Sequence, residues 1–352
     1  MKFWPSHSHT RRSHQLEESF QELERRYPGN YNPFNANLTV DHGFLAEHCR
    51  WLLDNGCAGV VALGSLGEGA TLSFNEKTDV LRTLGRAVEG CGTLVASISS
   101  LTTSESASLA KAAADLGCSA LMVLPPYVYL GDWREMKTHV AAIFRATPLS
   151  CILYNNPVAY GTDFLPEQIQ ELASDFENFE AVKESSMDAR RVSAIRALLG
   201  PRIEISVDVD DAVLEAIGVG ATGWVAGLAN ALPRESVELF NCGIHGEDGK
   251  AFELYRWFLP LLRMDTVPKF VQLIKLVQAE LGMGSTRVRP PRLELAGSEL
   301  EQAKRVIGEA LRTWPGPVSS SMAALYAATF REGLVRLTRE KRFRRPELLQ
   351  QC

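Results

Sequence analysis

Short apolar runs alternate with amphipathic stretches from about residue 56 to residue 245, and this alternation constrains the fold more than any other feature. The apolar runs are residues 59–65, 93–99, 120–125, 150–155, 179–185, 204–208 and 222–228, and helical patterns between them include residues 76–89, 104–116, 133–146 and 189–199. Near-continuous apolar strands joined by helices indicate a parallel sheet that is covered on both faces. Seven such units in about 190 residues therefore predict an α/β fold, a (β/α)₈ TIM barrel, rather than an open doubly wound sheet.

The first strand of the barrel is not evident in the sequence. The chain has 352 residues, 45% of them apolar, which is enough for a barrel with an appendage. Residues 1–32 contain no strand-like apolar run, so the first strand is expected to be irregular or absent. Either an irregular piece near residues 27–34 closes the barrel, or the barrel is incomplete. The predicted division is a divergent N-terminal segment (1–32), the barrel (33–246), a C-terminal helical extension (247–313) and an extra helical and polar tail (314–352).

Charge and hydropathy exclude several classes of protein. The net charge is −5 and no basic patch lies in the middle of the chain, so no nucleic-acid partner is expected. The basic stretch 336–345 is typical of a solvated or disordered end. No apolar run approaches the roughly 20 residues that cross a bilayer, and the N-terminus has no apolar signal region, so no membrane association is expected. No Gly-x-Gly-x-x-Gly follows the first apolar run, which argues against dinucleotide binding.

Cysteine and histidine usage points to a metal-free protein of a reducing compartment. The seven cysteines are scattered without a Cys-x-x-Cys pair, as is typical of reduced core residues in a cytoplasmic protein. His7, His9 and His14 crowd the N-terminus, where an unordered polar end is commoner than a metal site. The body of the chain shows no set of His, Asp and Glu with metal-ligand spacing, so no metal is predicted.

Lys183 is the first candidate for chemistry, because it ends the apolar run 179–182. A cation inside a strand is costly unless it is paired or neutralised. A desolvated lysine gives up its proton more readily and becomes the nucleophilic amine that Schiff-base enzymes need. The alternative is a lysine that extends from a strand end into water.

Other candidates follow the predicted strands, whose carboxyl ends carry the chemistry of a TIM barrel. The loop 64–73 is rich in glycine and contains Ser65, and its amides lead toward a helix N-terminus that favours a carboxylate. In the same loop Glu68 either interacts with the site or caps the following helix, and capping is the favoured expectation. Tyr154 ends the run 150–155, where it is either a core residue or a proton donor and acceptor. The glycines of 223–230 leave room for a small substrate, although packing alone would also explain them.

Four motifs in this order and spacing resemble the dihydrodipicolinate synthase / N-acetylneuraminate lyase family. They are residues 64–73, 154–157, 183–188 and 220–230, and the similarity runs from about residue 33 to residue 312. The resemblance implies a class I aldolase-type barrel without metal, commonly a homotetramer or homodimer, that acts on a small 2-oxo acid or imino acid. It needs no cofactor, because the substrate forms a covalent imine on a lysine.

The resemblance also implies roles for individual residues. By it, Lys183 forms the Schiff base, Tyr154 shuttles protons, and Ser65 with the Leu66 amide holds the carboxylate of the 2-oxo acid. Further substrate contacts are expected from Gly67, Asp208 and Val225. An iminium on the lysine is an electron sink that acidifies the adjacent carbon, so C–C cleavage, loss of water or loss of ammonia can follow.

Departures from the synthase pattern bear on the choice of reaction. The pattern has a second tyrosine after Pro-Tyr, where this chain has Val128, and a Thr-Thr pair, where it has Ser65-Leu66. It also has an arginine that grips a second carboxylate, whereas residues 158–161 here read Val-Ala-Tyr-Gly. Residues 154–161, 223–230 and 269–275 instead look like the catabolic branch. The leading hypothesis is therefore a 1-pyrroline-4-hydroxy-2-carboxylate deaminase, with 4-hydroxy-tetrahydrodipicolinate synthase or another 2-oxo acid aldolase as the alternative.

Asp208 introduces a hypothesis of another class, because the family usually places glycine there. Its carboxylate is expected to contact an ammonium or hydroxyl, to obstruct the pocket, or to pair with Lys183 and hold it charged. Obstruction or pairing would suit a non-catalytic paralogue. A phosphate-binding barrel is disfavoured, because the glycine-rich stretch 218–223 is followed by no lysine or arginine before Arg234.

Overall fold

Eight parallel strands form a barrel in the computed structural model, which describes residues 27–29 and 31–315. The strands are β1 (Tyr27–Pro28), β2 (Gly59–Ala62), β3 (Thr93–Ile98), β4 (Ala120–Val123), β5 (Ser150–Asn155), β6 (Phe179–Glu184), β7 (Glu204–Val207) and β8 (Gly223–Ala226). They pair in the order β1-β8-β7-β6-β5-β4-β3-β2, and a bridge between Gly29 and Val61 joins the two ends. The predicted (β/α)₈ TIM barrel is confirmed.

The first strand is short rather than absent. Tyr27 lies opposite Val225 of β8, and its side chain is buried inside the barrel. Pro28 has no N–H to give to a ladder, and Gly29 follows at once, so these residues carry a turn signature in the sequence. The irregular piece expected near residues 27–34 therefore closes the barrel, which begins before the predicted boundary at residue 33.

Helices cover the outside of the barrel. They are α1 (His42–Asp54), α2 (Phe74–Val88), α3 (Thr103–Asp115), α4 (Trp133–Arg145), the four-residue α5 (Pro157–Tyr160), α6 (Pro166–Asp175), α7 (Ala189–Leu199), α8 (Val213–Gly218) and α9 (Pro233–Ile244). Side-chain oxygens start several of them: Ser73 and Asp132 each form a capping box with the glutamate three residues later. The predicted C-terminal extension contains α10 (Asp248–Leu262), α11 (Phe270–Glu280) and α12 (Gly297–Arg312).

Alternation along the strands decides which side chains face the inside of the barrel. Outward residues such as Leu153 and Val182 are fully buried in the core between sheet and helices. Inward residues form a separate small cluster to which Tyr154, Ala181 and Val225 belong. Because Lys183 lies two residues after Ala181 on β6, it shares this inward face.

Several expectations concern features outside the barrel. No helix of the described residues is long and apolar enough to cross a membrane. Six cysteines of the described chain are free thiols, and five of those are buried. The histidines at positions 7, 9 and 14 and the tail after residue 315 lie outside the described residues.

Candidate active site

A cavity of about 520 Å³ opens at the carboxyl ends of the strands. Six of the predicted site residues line it, namely Ser65, Leu66, Tyr154, Lys183, Asp208 and Val225. Gly67 is absent from the lining, and its carbonyl accepts a hydrogen bond from Asn32 Nδ2 at 2.6 Å. The structure thus brings the side chains of five strand ends into one space, while Gly67 supports the loop from behind.

Lys183 lies at the floor of this cavity, and its charge is paired. The residue is 5% exposed, and its Nζ lies 2.7 Å from Asp208 Oδ1. The Nζ also lies 3.8 Å from the centroid of the Tyr154 ring, so a cation–π contact adds to the ion pair. Lys183 therefore does not extend from the strand end into water, which was the alternative expectation.

Asp208 follows β7 and connects the lysine to two hydroxyl groups. Its Oδ2 accepts hydrogen bonds from Tyr154 Oη at 2.6 Å and from Ser185 Oγ at 3.2 Å. Burial, and next the negative charge of Asp208, raise the pKa of Tyr154 well above its ordinary value. Tyr154 is therefore protonated at neutral pH and is a proton donor. Of the roles expected for Asp208, the structure contains the pairing with Lys183 and the contact with hydroxyl groups.

A second tyrosine, which sequence reasoning missed, reaches the carboxylate loop. Tyr160 Oη is hydrogen-bonded to Ser65 Oγ. Its ring lies 5.8 Å from the rings of both Tyr154 and Tyr127, measured between centroids. Burial raises the pKa of Tyr160. The signal in the sequence is the tyrosine within residues 158–161, where the synthase pattern has an arginine.

The loop after β2 is held from behind by a buried ion pair. Glu68 and Lys275 are both fully buried, and Lys275 Nζ lies 2.6 Å from Glu68 Oε1. Glu68 Oε2 accepts a hydrogen bond from the Arg289 amide at 2.9 Å. Glu68 makes no side-chain cap to the following 3₁₀ turn, Gly69–Thr71, so the expected capping role was wrong. Its carboxylate instead anchors the loop that presents Ser65 and the Leu66 amide.

Two further aspartates lie near the lysine. Asp210 is fully buried and accepts hydrogen bonds from Trp224 Nε1 and from the amides of Gly227 and Leu228. Asp265, from the turn after α10, lines the cavity. Burial, and next repulsion by Asp210 and Asp208, raise the pKa of Asp265 well above its ordinary value. The carboxyl group of Asp265 is therefore more readily protonated than that of an ordinary aspartate.

Two other kinds of site receive no support from the described residues. Between residues 27 and 315, apart from Asn30, no three His, Cys, Asp or Glu side chains are grouped to hold a metal ion. The glycine-rich stretch 218–223 leads into the amino end of β8. Because the cavity lies at the opposite end of the strands, this stretch forms no phosphate site there.

Comparisons with known proteins agree with this architecture. The model of the dihydrodipicolinate synthetase family matches residues 25–310. The 4-hydroxy-tetrahydrodipicolinate synthase of Methanocaldococcus jannaschii is 28% identical over 286 residues, which is 81% of this chain and 96% of the relative. The enzyme of that name from Methanococcus maripaludis is 30% identical over 272 residues, 77% of this chain and 93% of the relative.

Solved structures show the same relationship. A putative dihydrodipicolinate synthetase from Pseudomonas aeruginosa superposes with a TM-score of 0.77 at 29% identity, covering 81% of this chain and 99% of that one. The 4-hydroxy-tetrahydrodipicolinate synthase of Methylacidiphilum fumariolicum SolV gives a TM-score of 0.79 at 26% identity, covering 82% and 96%. The chain belongs to the dihydrodipicolinate synthetase family, whose members are lyases.

Proposed function

We propose that this protein is a lyase that joins a 2-oxo acid to an aldehyde through an imine on Lys183, as a 4-hydroxy-tetrahydrodipicolinate synthase does. The observation that carries the proposal is one cavity in which Lys183, Tyr154 and Ser65 meet. The curated relatives carry the synthase name. This choice replaces the deaminase, which the sequence favoured.

Imine formation begins with the ion pair at the cavity floor. Asp208 Oδ1, at 2.7 Å, takes a proton from Lys183 Nζ and leaves a neutral amine. The amine attacks C2 of pyruvate, and the carbinolamine oxygen leaves as water after it receives a proton from Tyr154. Because Tyr154 donates to the same carboxylate, Asp208 and Tyr154 exchange the protons that this step requires.

Carbon–carbon bond formation follows from the imine. The iminium withdraws electrons, so the pyruvate methyl group loses a proton and an enamine forms. The enamine carbon attacks the aldehyde carbon, and the aldehyde oxygen takes up a proton. Water then hydrolyses the imine, which releases the product and restores Lys183. These steps use no cofactor beyond the lysine.

The carboxylate of pyruvate is assigned to the loop after β2. Ser65 Oγ and the Leu66 amide offer two donors on the same side of the cavity. The buried Glu68–Lys275 pair fixes this loop before substrate arrives. Such preorganisation means that binding spends little free energy on ordering the loop.

The structure weakens one argument for a deaminase, namely the missing second tyrosine of the synthase pattern. Val128 stands where the synthase pattern has its second tyrosine, yet Tyr160 is hydrogen-bonded to Ser65. A hydroxyl chain of serine and tyrosine therefore exists beside the lysine without a tyrosine at position 128. This supports the synthase-type condensation over a reaction without a proton relay.

Deamination of a cyclic imino acid is the second candidate, because two carboxyl groups face the lysine. Asp208 is paired with Lys183, and Asp265, whose pKa is raised by burial, lines the same cavity. An acid placed there can protonate a leaving amine. The two reactions are separated by their products: pyrroline carboxylates would release ammonia, whereas condensation consumes pyruvate and an aldehyde without releasing it.

Borohydride trapping tests the proposed function. Full-length protein incubated with pyruvate and borohydride is expected to gain one reduced pyruvate on Lys183, as located by peptide mass spectrometry. Lys183→Met should gain none, whereas Lys304→Met, which removes a half-exposed surface lysine, should gain one as the wild type does. An unmodified Lys183 in the wild type would favour the non-catalytic paralogue. The predicted homotetramer or homodimer is a separate expectation, and one structural relative is described as a monomeric variant.

A further inference from the structure

Arg292 is a second cation in the cavity, and no sequence motif pointed to it. Among the residues lining the cavity, Lys183 and Arg292 are the two with cationic side chains. Arg292 belongs to the irregular segment between α11 and α12, about a hundred residues from Lys183 in sequence. We propose that Arg292 binds a second carboxylate of the substrate, at the end remote from the imine. This inference rests on the proposed imine chemistry.

The backbone around Arg292 is fixed from both sides. On one side, the Arg289 amide donates to Glu68, and the Arg289 guanidinium donates to Leu38 and Thr71 carbonyls at 2.9 and 3.1 Å. On the other side, Gln272 Nε2 donates to the Leu293 carbonyl at 3.2 Å. The position of Arg292 at the cavity is therefore set by the same buried carboxylate that holds the Ser65 loop.

The guanidinium of Arg292 is left available by its neighbours. Among the described residues its nearest carboxylate oxygen is Glu68 Oε2, at 3.9 Å, which is too far for a hydrogen bond. Glu68 already has Lys275 and the Arg289 amide as partners. Within the described chain Arg292 donates no side-chain hydrogen bond, so its five N–H donors can serve a ligand.

Position and charge assign Arg292 to the remote end of a substrate. The Lys183 side chain is 6% exposed and that of Arg292 is 29% exposed, so the lysine lies at the floor and the arginine nearer the mouth. The Ser65 loop takes the carboxylate next to the imine carbon, and Asp208 makes the surroundings of the lysine unfavourable for another anion. A planar guanidinium matches the two oxygens of a carboxylate in a bidentate pair.

The test compares 2-oxo acids that differ only in their remote end. Borohydride trapping on Lys183 is measured against concentration for 2-oxoadipate and 2-oxoglutarate, and for 2-oxohexanoate and 2-oxopentanoate, which lack the second carboxylate. The wild type is expected to reach half-maximal trapping at a lower concentration with at least one dicarboxylate than with its matched monocarboxylate. Arg292→Gln should raise that concentration about 10- to 100-fold for the dicarboxylate, the range for a lost charged hydrogen bond.

The controls separate this inference from the proposed function. Arg292→Gln should trap pyruvate and the monocarboxylates as the wild type does, and Arg305→Gln, on the exposed face of α12, should change nothing. The inference would be overturned if Arg292→Gln weakened trapping of a dicarboxylate and of its matched monocarboxylate equally, or if it weakened trapping of pyruvate. It would also be overturned if the wild type trapped both acids of each pair at the same concentration. Failure of the wild type to trap any of these acids would instead overturn the proposed imine chemistry.

Discussion

Replacement of Lys275 by methionine should destabilise the protein and weaken substrate binding together. Lys275 is fully buried, and its Nζ donates to Glu68 Oε1 at 2.6 Å and to the Arg287 carbonyl at 2.7 Å. Lys275→Met fills a similar volume but leaves a buried carboxylate without its counter-ion. Removal of one partner of a buried ion pair costs about 3–5 kcal/mol.

Part of that cost should be recovered by a second substitution. In Lys275→Met/Glu68→Gln the residue at 68 is neutral, and its side-chain oxygen still accepts from the Arg289 amide. We expect the double variant to be more stable than Lys275→Met by about 1–3 kcal/mol, because no isolated charge remains buried. A control, Lys269→Met, removes a half-exposed ion pair to Glu299 and should cost about 1 kcal/mol or less.

Urea unfolding and pyruvate trapping measure the two consequences on the same samples. Unfolding gives the loss of stability, and trapping on Lys183 gives the concentration of pyruvate at half-maximal reaction. Because the ion pair anchors the Ser65 loop, Lys275→Met should raise this concentration by roughly tenfold under conditions in which it is fully folded. A single variant as stable as the wild type, or a destabilised variant with unchanged trapping, would refute the anchoring argument.

Three further predictions concern Asp208, Tyr160 and the buried His48. Asp208→Asn should reduce the rate of imine formation about 100-fold or more, because the acceptor for the lysine proton is lost. A faster rate of imine formation in Asp208→Gly would instead show that Asp208 obstructs the cavity. Tyr160→Phe should weaken pyruvate binding about 10-fold through its bond to Ser65, which a pyruvate titration of trapping measures. Burial lowers the pKa of His48 to about 4. The unfolded chain therefore binds a proton between about pH 6.5 and 4 that the native protein does not, so stability falls as the pH falls through this window, and urea midpoints of His48→Gln should fall less steeply.

The sequence predicted most of the barrel, because a parallel strand covered on both faces is apolar along its whole length. Each of the seven predicted runs contains a strand, and the ends of five of them, those of β2 and β5 to β8, contribute residues to the cavity. The first strand could be predicted only as an irregular piece near residues 27–34, because the two-residue strand Tyr27–Pro28 has no apolar run. Its position follows from pairing with β8, which is a long-range contact.

The residues missed at the site share one property: none lies on a strand. Tyr160 is in the four-residue α5, Asp265 in the turn after α10, and Arg292 in an irregular segment of the extension. No local period marks such positions, since their approach to Lys183 depends on how the segment after β5 and the C-terminal extension pack across the barrel mouth. The apolar runs therefore predict Lys183 and the other residues at strand ends, but not the groups that face them from outside the sheet.

The charges of the cavity give a further reason to expect an anionic substrate. Lys183 and Asp208 offset each other at 2.7 Å, and burial and neighbouring carboxylates raise the pKa of Asp265, which disfavours its charged form. Arg292 lies at the mouth as a cation to which no carboxylate of the described residues is hydrogen-bonded. An aldehyde or 2-oxo acid with two carboxylates compensates that charge and supplies a ligand to the Ser65 loop as well. Since Arg292 is partly exposed, salt should screen its attraction, so trapping of dicarboxylates should weaken with added salt more than trapping of monocarboxylates.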